Sequence, residues 1–310
     1  MTVRCDDIGR VVEGRIRHVL QLQQECILRR HLRGVIVSFE THQPLISVIV
    51  PCHNSEGTIA ACLESITAQT FGDLEIVVVD GLSQDGTMAA VKAVAANFPA
   101  LRFVSERDNG IYDAINKGVR MARGTWVHVL GSDDRIYSPE TLENVAELLK
   151  ESDAGVVYGD VLVRRDAGWA KDGEIYAGEF TLERLLQRNI CQQAAFYKRT
   201  LFESLGAFNI DYSICADWDF MLRCAAKSTL EYMNVIVAEF SGGGASGTKE
   251  EVKLNEDFAA NLYAYFGLHV FDKAFRPVAF RFLKSAKVYA QHRKPLRAIL
   301  FWGIAKRHGA

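Results

Sequence analysis

The sequence predicts an α/β fold, with a mostly parallel central sheet and helices on both of its faces. Three observations predict it. Short β-branched runs alternate with segments of helical periodicity between residues 45 and 130. The connections between them are short, as βαβ units require. Each strand-like run also ends in a polar cluster, and parallel sheets bind ligands beyond the carboxyl ends of their strands.

The elements follow in order. "LISVIV" (45–50) reads as a strand and "TIAACLESITAQ" (58–69) as a helix. "LEIVVVD" (74–80) is a second strand, "GTMAAVKAVAANF" (86–98) a helix, and "LRFVSE" (101–106) a third strand. "YDAINKGVRMA" (112–122) is a helix closed by Gly124, and "WVHVL" (126–130) a fourth strand. Beyond this the pattern is less regular. Strands are expected over 155–163, 192–198 and 231–240, with helices over 182–188 and 216–226, as a mixed extension of the same sheet. After about residue 250 the chain reads as helical, broken at Pro277 and Pro295. Residues 11–32 carry apolar residues near helical spacing, with Gly34 as a stop. The expected domains are an N-terminal helical extension (1–43), the α/β domain (44–248) and a basic helical C-terminal extension (249–310).

Bulk properties narrow the function. The chain has 310 residues, 49% of them apolar, which is enough for one large core. The net charge of −2 gives no global field that calls for nucleic acid. Seven cysteines, an odd number with no C-x-x-C, argue against a disulfide frame or zinc site and for a reducing compartment. No apolar run approaches the length of a membrane span, and the charged N-terminus lacks a signal core. A cytoplasmic location is expected.

The polar clusters at the strand ends carry the chemistry. Asp80 closes the second strand, where it can accept from a ribose hydroxyl or base N–H, or simply stabilise its own turn. His53 and Asn54 follow Pro51 at the first strand end, where an imidazole can stack on a base or satisfy a loop. Asp133 and Asp134 are delivered to the crevice by the fourth strand. Two adjacent carboxylates tolerate one another when a divalent cation sits between them and a phosphate.

Four stretches, "SVIVPCHNSEGTIAACLESI", "IVVVDGLSQDGT", "ERDNGIYDAINKGVRMARGTWVHVLGSDD" and "CADWDFMLR", occur in order over residues 45–245. Together they resemble the family-2 glycosyltransferases. The resemblance implies a GT-A fold (Rossmann-like, with the sheet described above); the helical N- and C-terminal extensions, read from periodicity, lie outside it. It implies an inverting hexosyltransferase that moves a sugar from a nucleoside-diphosphate sugar to a glycan or lipid-linked acceptor with Mn2+ or Mg2+, in polysaccharide or cell-envelope biosynthesis. Nucleotide-sugar contacts fall on Pro51, His53, Asn54, Glu56, Asp80, Asp113, Lys117, Ser132 and Asp133. His53 replaces the usual aromatic against the base. The metal falls on Asp134, with Gly131 or Ser132 where the family's acidic motif opens with an acid. The catalytic base falls on Asp217, with Ala216 in place of the usual Glu. Asp219 is the rival base, but on a helix it points about 200° away.

Other readings compete. "GGGASG" (242–247) satisfies a dinucleotide-binding spacing, but too little chain follows for a second βαβ unit. It reads better as a loop whose N–H groups approach the diphosphate, ordering when donor binds. A nucleotidyltransferase would need a basic, Gly-rich loop after the first strand, and "PCHNSEGT" has no Lys or Arg. A catalytically silent nucleotide-sugar-binding relative or scaffold is the alternative that the changes at 132 and 216 keep open. Trp169, Tyr212 and Trp218 are candidate acceptor platforms or core aromatics. From Lys273 to Ala310 there are ten Lys and Arg and no Asp or Glu. That segment either packs on the domain or touches an anionic membrane peripherally at its inner face. No nucleic-acid module accompanies it, and a homo-oligomer is compatible with the chain.

Overall fold

A computed structural model describes residues 43–242 and 251–310. The helix expected over 11–32 and most of the glycine-rich stretch lie outside the described residues. The first half follows the predicted rhythm: β1 (Ile46–Cys52), α1 (Ile59–Thr67), β2 (Leu74–Asp80), α2 (Thr87–Ala95), β3 (Leu101–Ser105), α3 (Ile111–Met121) and β4 (Trp126–Val129). β5 (Arg135–Ile136), α4 (Thr141–Glu151), β6 (Val156–Arg164), β7 (Ile175–Tyr176) and α5 (Leu182–Leu185) come next. A 3-10 turn (Gln192–Ala194) leads into β8 (Ala195–Lys198), α6 (Arg199–Leu205), α7 (Ala216–Lys227) and β9 (Leu230–Ser241). The chain closes with α8 (Val252–Phe266), two 3-10 segments, α9 (Ala279–Gln291) and α10 (Pro295–Arg307). Sequence reading missed α4 and α6, and shortened to one strand what is a 3-10 turn followed by β8.

The strands form one sheet in the order β3-β2-β1-β4-β8-β6-β9-β5, with β7 on β6. β3, β2, β1 and β4 run parallel. β8 enters antiparallel between β4 and β6, while β9 runs parallel to β6. Along β1 and β2 the side chains alternate between two cores. Ile49, Val77 and Val79 face one, and Val48, Val50, Ile76 and Val78 the other. Burial on both faces explains why these strands read as unbroken apolar runs. α3 packs tightly on β1, since a Cβ at Gly118 would sit 2.4 Å from Ile49 Cγ2.

Pro51 sits inside a central strand, where a missing N–H is normally excluded. Ile49 accepts from Leu130 N on the β4 side, so alternation turns Pro51 to that side too. β4 pairs only as far as Val129 opposite Ile49, so no ladder bond is lost.

Pro295 opens α10 at its first turn, where proline is tolerated. Residues 43–310 cluster as one compact unit that includes α8, α9 and α10. Among the described residues no helix is long and apolar enough to cross a membrane, and the five cysteines there are free.

Candidate active site

The loops after β1, β2, β3 and β4 meet at one edge of the sheet and are stitched by side chains. Asn54 is held at φ 49°, and its Oδ1 accepts from Gln84 N at 2.9 Å. Its own N donates to Ser83 Oγ at 2.8 Å. Glu56 Oε2 accepts from Gly86 N at 2.7 Å, beside the start of α2. Ser132 and Ser55 join through their hydroxyls at 2.9 Å. Asp113 accepts from Asn109 N at 3.0 Å, and Lys117 pairs with Glu106 at 3.1 Å, so both brace the loop after β3.

Asp80, the expected contact for base or ribose, ends β2. It is fully buried and spends its oxygens inside the protein. They accept from Ser83 N, Ser83 Oγ and Ser105 Oγ, tying the ends of β2 and β3 together. The carboxylate that does reach this crevice is Asp108, which sequence reading overlooked. A Cβ at Gly81 would sit 2.5 Å from Asp108 Oδ2 and 3.3 Å from His53 Nδ1. Asp108 Oδ1 accepts from Gly110 N at 3.0 Å. An exposed imidazole and a carboxylate oxygen thus flank a glycine whose missing side chain leaves the space between them. The signal in the sequence was the glycine directly after Asp80.

The paired acids divide. Asp133 is exposed. Asp134 is 2% exposed, and its oxygens accept from Ser241 N and Gln193 Nε2, each at 2.7 Å. Burial, followed by the charge of Asp133, pushes its carboxyl up to about 7. Of the pair, Asp134, the expected metal ligand, faces inward with one protein donor on each oxygen, and Asp133 faces outward. Among the described residues no group of three or more His, Cys, Asp or Glu forms a metal cage. The donor set therefore suits a cation shared with phosphate oxygens rather than one enclosed by protein.

Asp217 lies in the first turn of α7. Asn189 Nδ2 donates to its Oδ2 at 2.8 Å, and Tyr112 Oη stands 2.8 Å from its Oδ1. Burial pushes its carboxyl up to about 6, against the lowering pull of Tyr112 and of N–H donors. Tyr112 Oη also touches the Ile214 carbonyl. One phenolic hydrogen serves one of these two oxygens at a time. Asn189 Oδ1, on the same amide that donates to this carboxyl, is buried without a protein partner. Asp219 points elsewhere, as its spacing predicts. It pairs with Arg223 at 3.1 Å and accepts from Tyr265 at 2.6 Å.

Of the candidate platforms, Trp169 is exposed and edges onto Tyr176. Tyr212 is buried. Trp218 donates to the Leu185 carbonyl at 2.8 Å and packs on Phe258.

A parallel half-sheet with convergent polar strand ends, joined through Tyr112 to a helix-borne carboxyl, is the architecture of an α/β domain of the GT-A type. The sequence comparisons agree. The model of the family "Glycosyl transferase family 2" matches residues 47–206. A "PGL/p-HBAD biosynthesis glycosyltransferase" of Mycobacterium bovis (strain BCG / Pasteur 1173P2) is 42% identical over 211 residues, covering 66% of this chain and 80% of the relative. Among solved structures, S. aureus TarS 1–349 in complex with UDP matches with a TM-score of 0.55 at 19% identity, covering 86% of this chain and 92% of that one. The mannosyltransferase PcManGT from Pyrobaculum calidifontis, in complex with GDP-Man and Mn2+, matches with 0.51 at 24% identity, covering 87% and 77%. This chain belongs to glycosyl transferase family 2, and it is a glycosyltransferase.

Proposed function

We propose that the enzyme moves a sugar from a nucleoside-diphosphate sugar to a hydroxyl of a glycan or lipid-linked glycan, with inversion at the sugar carbon. The observation that carries this reading is the Asp217 carboxyl, oriented by Asn189 and Tyr112 with its pKa raised to about 6. A base of that strength is largely ionised at neutral pH yet can still take a proton from an attacking hydroxyl. Its single carboxylate, without an acidic neighbour at Ala216, suits direct displacement by the acceptor. The relative's name and the nucleotide and nucleotide-sugar complexes of the solved neighbours support the substrate class.

His53 and Asp108 hold the nucleobase in this reading, the imidazole against its face and the carboxylate on a ring N–H. Asn54, Glu56, Asp80, Asp113, Lys117 and Ser132 shape that pocket from behind, each through the loop bonds described above. Asp133 is the residue that would hold a divalent cation, Mn2+ or Mg2+, together with the diphosphate. Such an ion, when bound, acts as a Lewis acid that stabilises the departing diphosphate. Asp134 acts indirectly, by tying the end of β9 to the loop after β4.

The test measures transfer, donor hydrolysis and nucleotide-induced thermal stabilisation on the same preparations. Asp217→Asn is expected to lose roughly 10²–10⁴-fold in turnover with donor stabilisation intact. Asp108→Asn and Asp133→Asn are expected to lose donor stabilisation, and a chelator should weaken it in the wild type. Full turnover by Asp217→Asn would remove it from the role of base.

A further inference from the structure

The last two helices form a hairpin. α9 buries Ala279, Phe282 and Ala286, and α10 buries Phe301, Ile304 and Ala305. Phe301 is the hinge of the packing, with Phe282 and Tyr289 edge-on to it at 5.7 and 5.4 Å. The buried faces account for only part of the apolar surface. Leu296 is 83% exposed, Ile299 66%, Phe280 60% and Trp302 52%. The three on α10 are spaced by three residues, so they form a stripe along one side, away from Phe301 and Ile304. Phe280 shares its side of α9 with Lys284 and Lys287, four and seven residues on, and both lysines are exposed. Bare side chains of this size, three of them in a row along α10 and a fourth on the helix paired with it, mark an interaction site rather than ordinary surface.

Charge selects the partner. No acidic residue occurs between Lys273 and Ala310, against ten Lys and Arg. A face meant for a second copy or for a typical protein would bury these cations against one another or need an acidic partner patch. An anionic bilayer supplies the negative field and also takes up the aromatic and aliphatic side chains. We propose that the exposed face of the α9–α10 hairpin is a docking surface for an anionic lipid bilayer, with Phe280, Leu296, Ile299 and Trp302 entering the interface and the lysines meeting headgroups.

The hairpin is joined to the reaction site. Arg281, next to Phe280, lies over the Phe258 ring at 4.1 Å and over Trp218 at 5.9 Å. Trp218 follows Asp217 directly. Docking would therefore fix the enzyme on a membrane with the element that carries its candidate base packed against the bound hairpin. Delivery of a lipid-linked acceptor rests on the function proposed above, but bilayer binding does not.

The experiment uses the full chain without donor. It measures sedimentation with vesicles of phosphatidylcholine alone or mixed with phosphatidylglycerol, at low and high salt, and quenching of tryptophan by brominated lipid. Binding is expected only to the anionic vesicles, falling steeply with salt, since each Lys or Arg near the surface contributes roughly fivefold. Brominated lipid should quench the wild type, and Trp302→Phe should abolish most of that quenching. The double variant Leu296→Glu, Ile299→Glu alters exposed positions only. It should lose about tenfold or more in vesicle binding with unchanged melting and unchanged nucleotide stabilisation. Failure to bind anionic vesicles, or equal binding to neutral ones, overturns the proposal. So does a dimer that the same double variant dissociates, which would assign the face to a second copy. Donor turnover in solution, measured separately, reports on the transferase reading and not on this one.

Discussion

At the scale of single residues, the site depends on which polar atoms are already spent. Asp80 and Asp134 accept donors from distant segments and so tie strand ends together. Asp217 is held by two side chains, and Asn189 Oδ1, on the amide that donates to it, lacks a protein partner. Its raised pKa sets a pH dependence. The base must be ionised, so turnover should climb with pH through about 6 and then level. When Asp217 is ionised, the Tyr112 hydrogen serves it in a charge-assisted bond, stronger than the neutral bond it replaces. Tyr112→Phe should therefore move the acidic limb of the pH–rate profile upward. An unshifted limb with lowered turnover would mean that Tyr112 only packs.

At the scale of elements, α7 shows how one helix separates chemistry from support. Asp217 and Asp219 are two residues apart and leave the helix on different sides. Asp219 accepts from Arg223, Asn261 and Tyr265, which locks α7 onto α8. Both partners of the Asp219–Arg223 pair are almost wholly buried. Arg223 keeps its bonds to the Leu205 and Ala207 carbonyls, but Tyr265 and Asn261 lose this acceptor, so Asp219→Ala should cost about 1–3 kcal/mol in urea unfolding. Because it acts through the packing of α7, lost activity should follow lost folding. A stable but inactive Asp219→Ala would instead revive Asp219 as the base. The same elements show where periodicity was a weak guide. α4 and α6 were missed because α4 lies between polar loops after the strong β4 signal, and α6 begins directly where β8 ends.

At the scale of the whole molecule, two buried carboxyls with raised pKa values make folding hold protons. The unfolded chain ionises an Asp near pH ~3.9, whereas Asp217 and Asp134 ionise at about 6 and about 7 when folded. Over that interval the folded state binds more protons than the unfolded one. These two groups therefore favour folding least at high pH, and their contribution to stability falls as pH rises from about 4 to about 7. Asp134→Asn keeps the volume, and the Gln193 amide can turn to match it. That variant should flatten the upper part of the fall in denaturant melts taken across this range. An unchanged slope would mean that Asp134 ionises normally.

Much of this was legible in the residues alone. The alternation of strands and helices, the polar strand ends, the family and the helix that carries Asp217 all rest on local patterns and on motifs written in order. The direction of each side chain was not legible. Asp134 is held by Gln193 and by Ser241, which lie 59 and 107 residues along the chain. Asp108 gains its place only because Gly81, on a neighbouring strand end, has no side chain. Periodicity encodes the face an element buries, because that depends on neighbours three or four residues away. Which of two adjacent carboxyls faces a crevice depends on donors brought in by distant strands, and only the assembled sheet decides that.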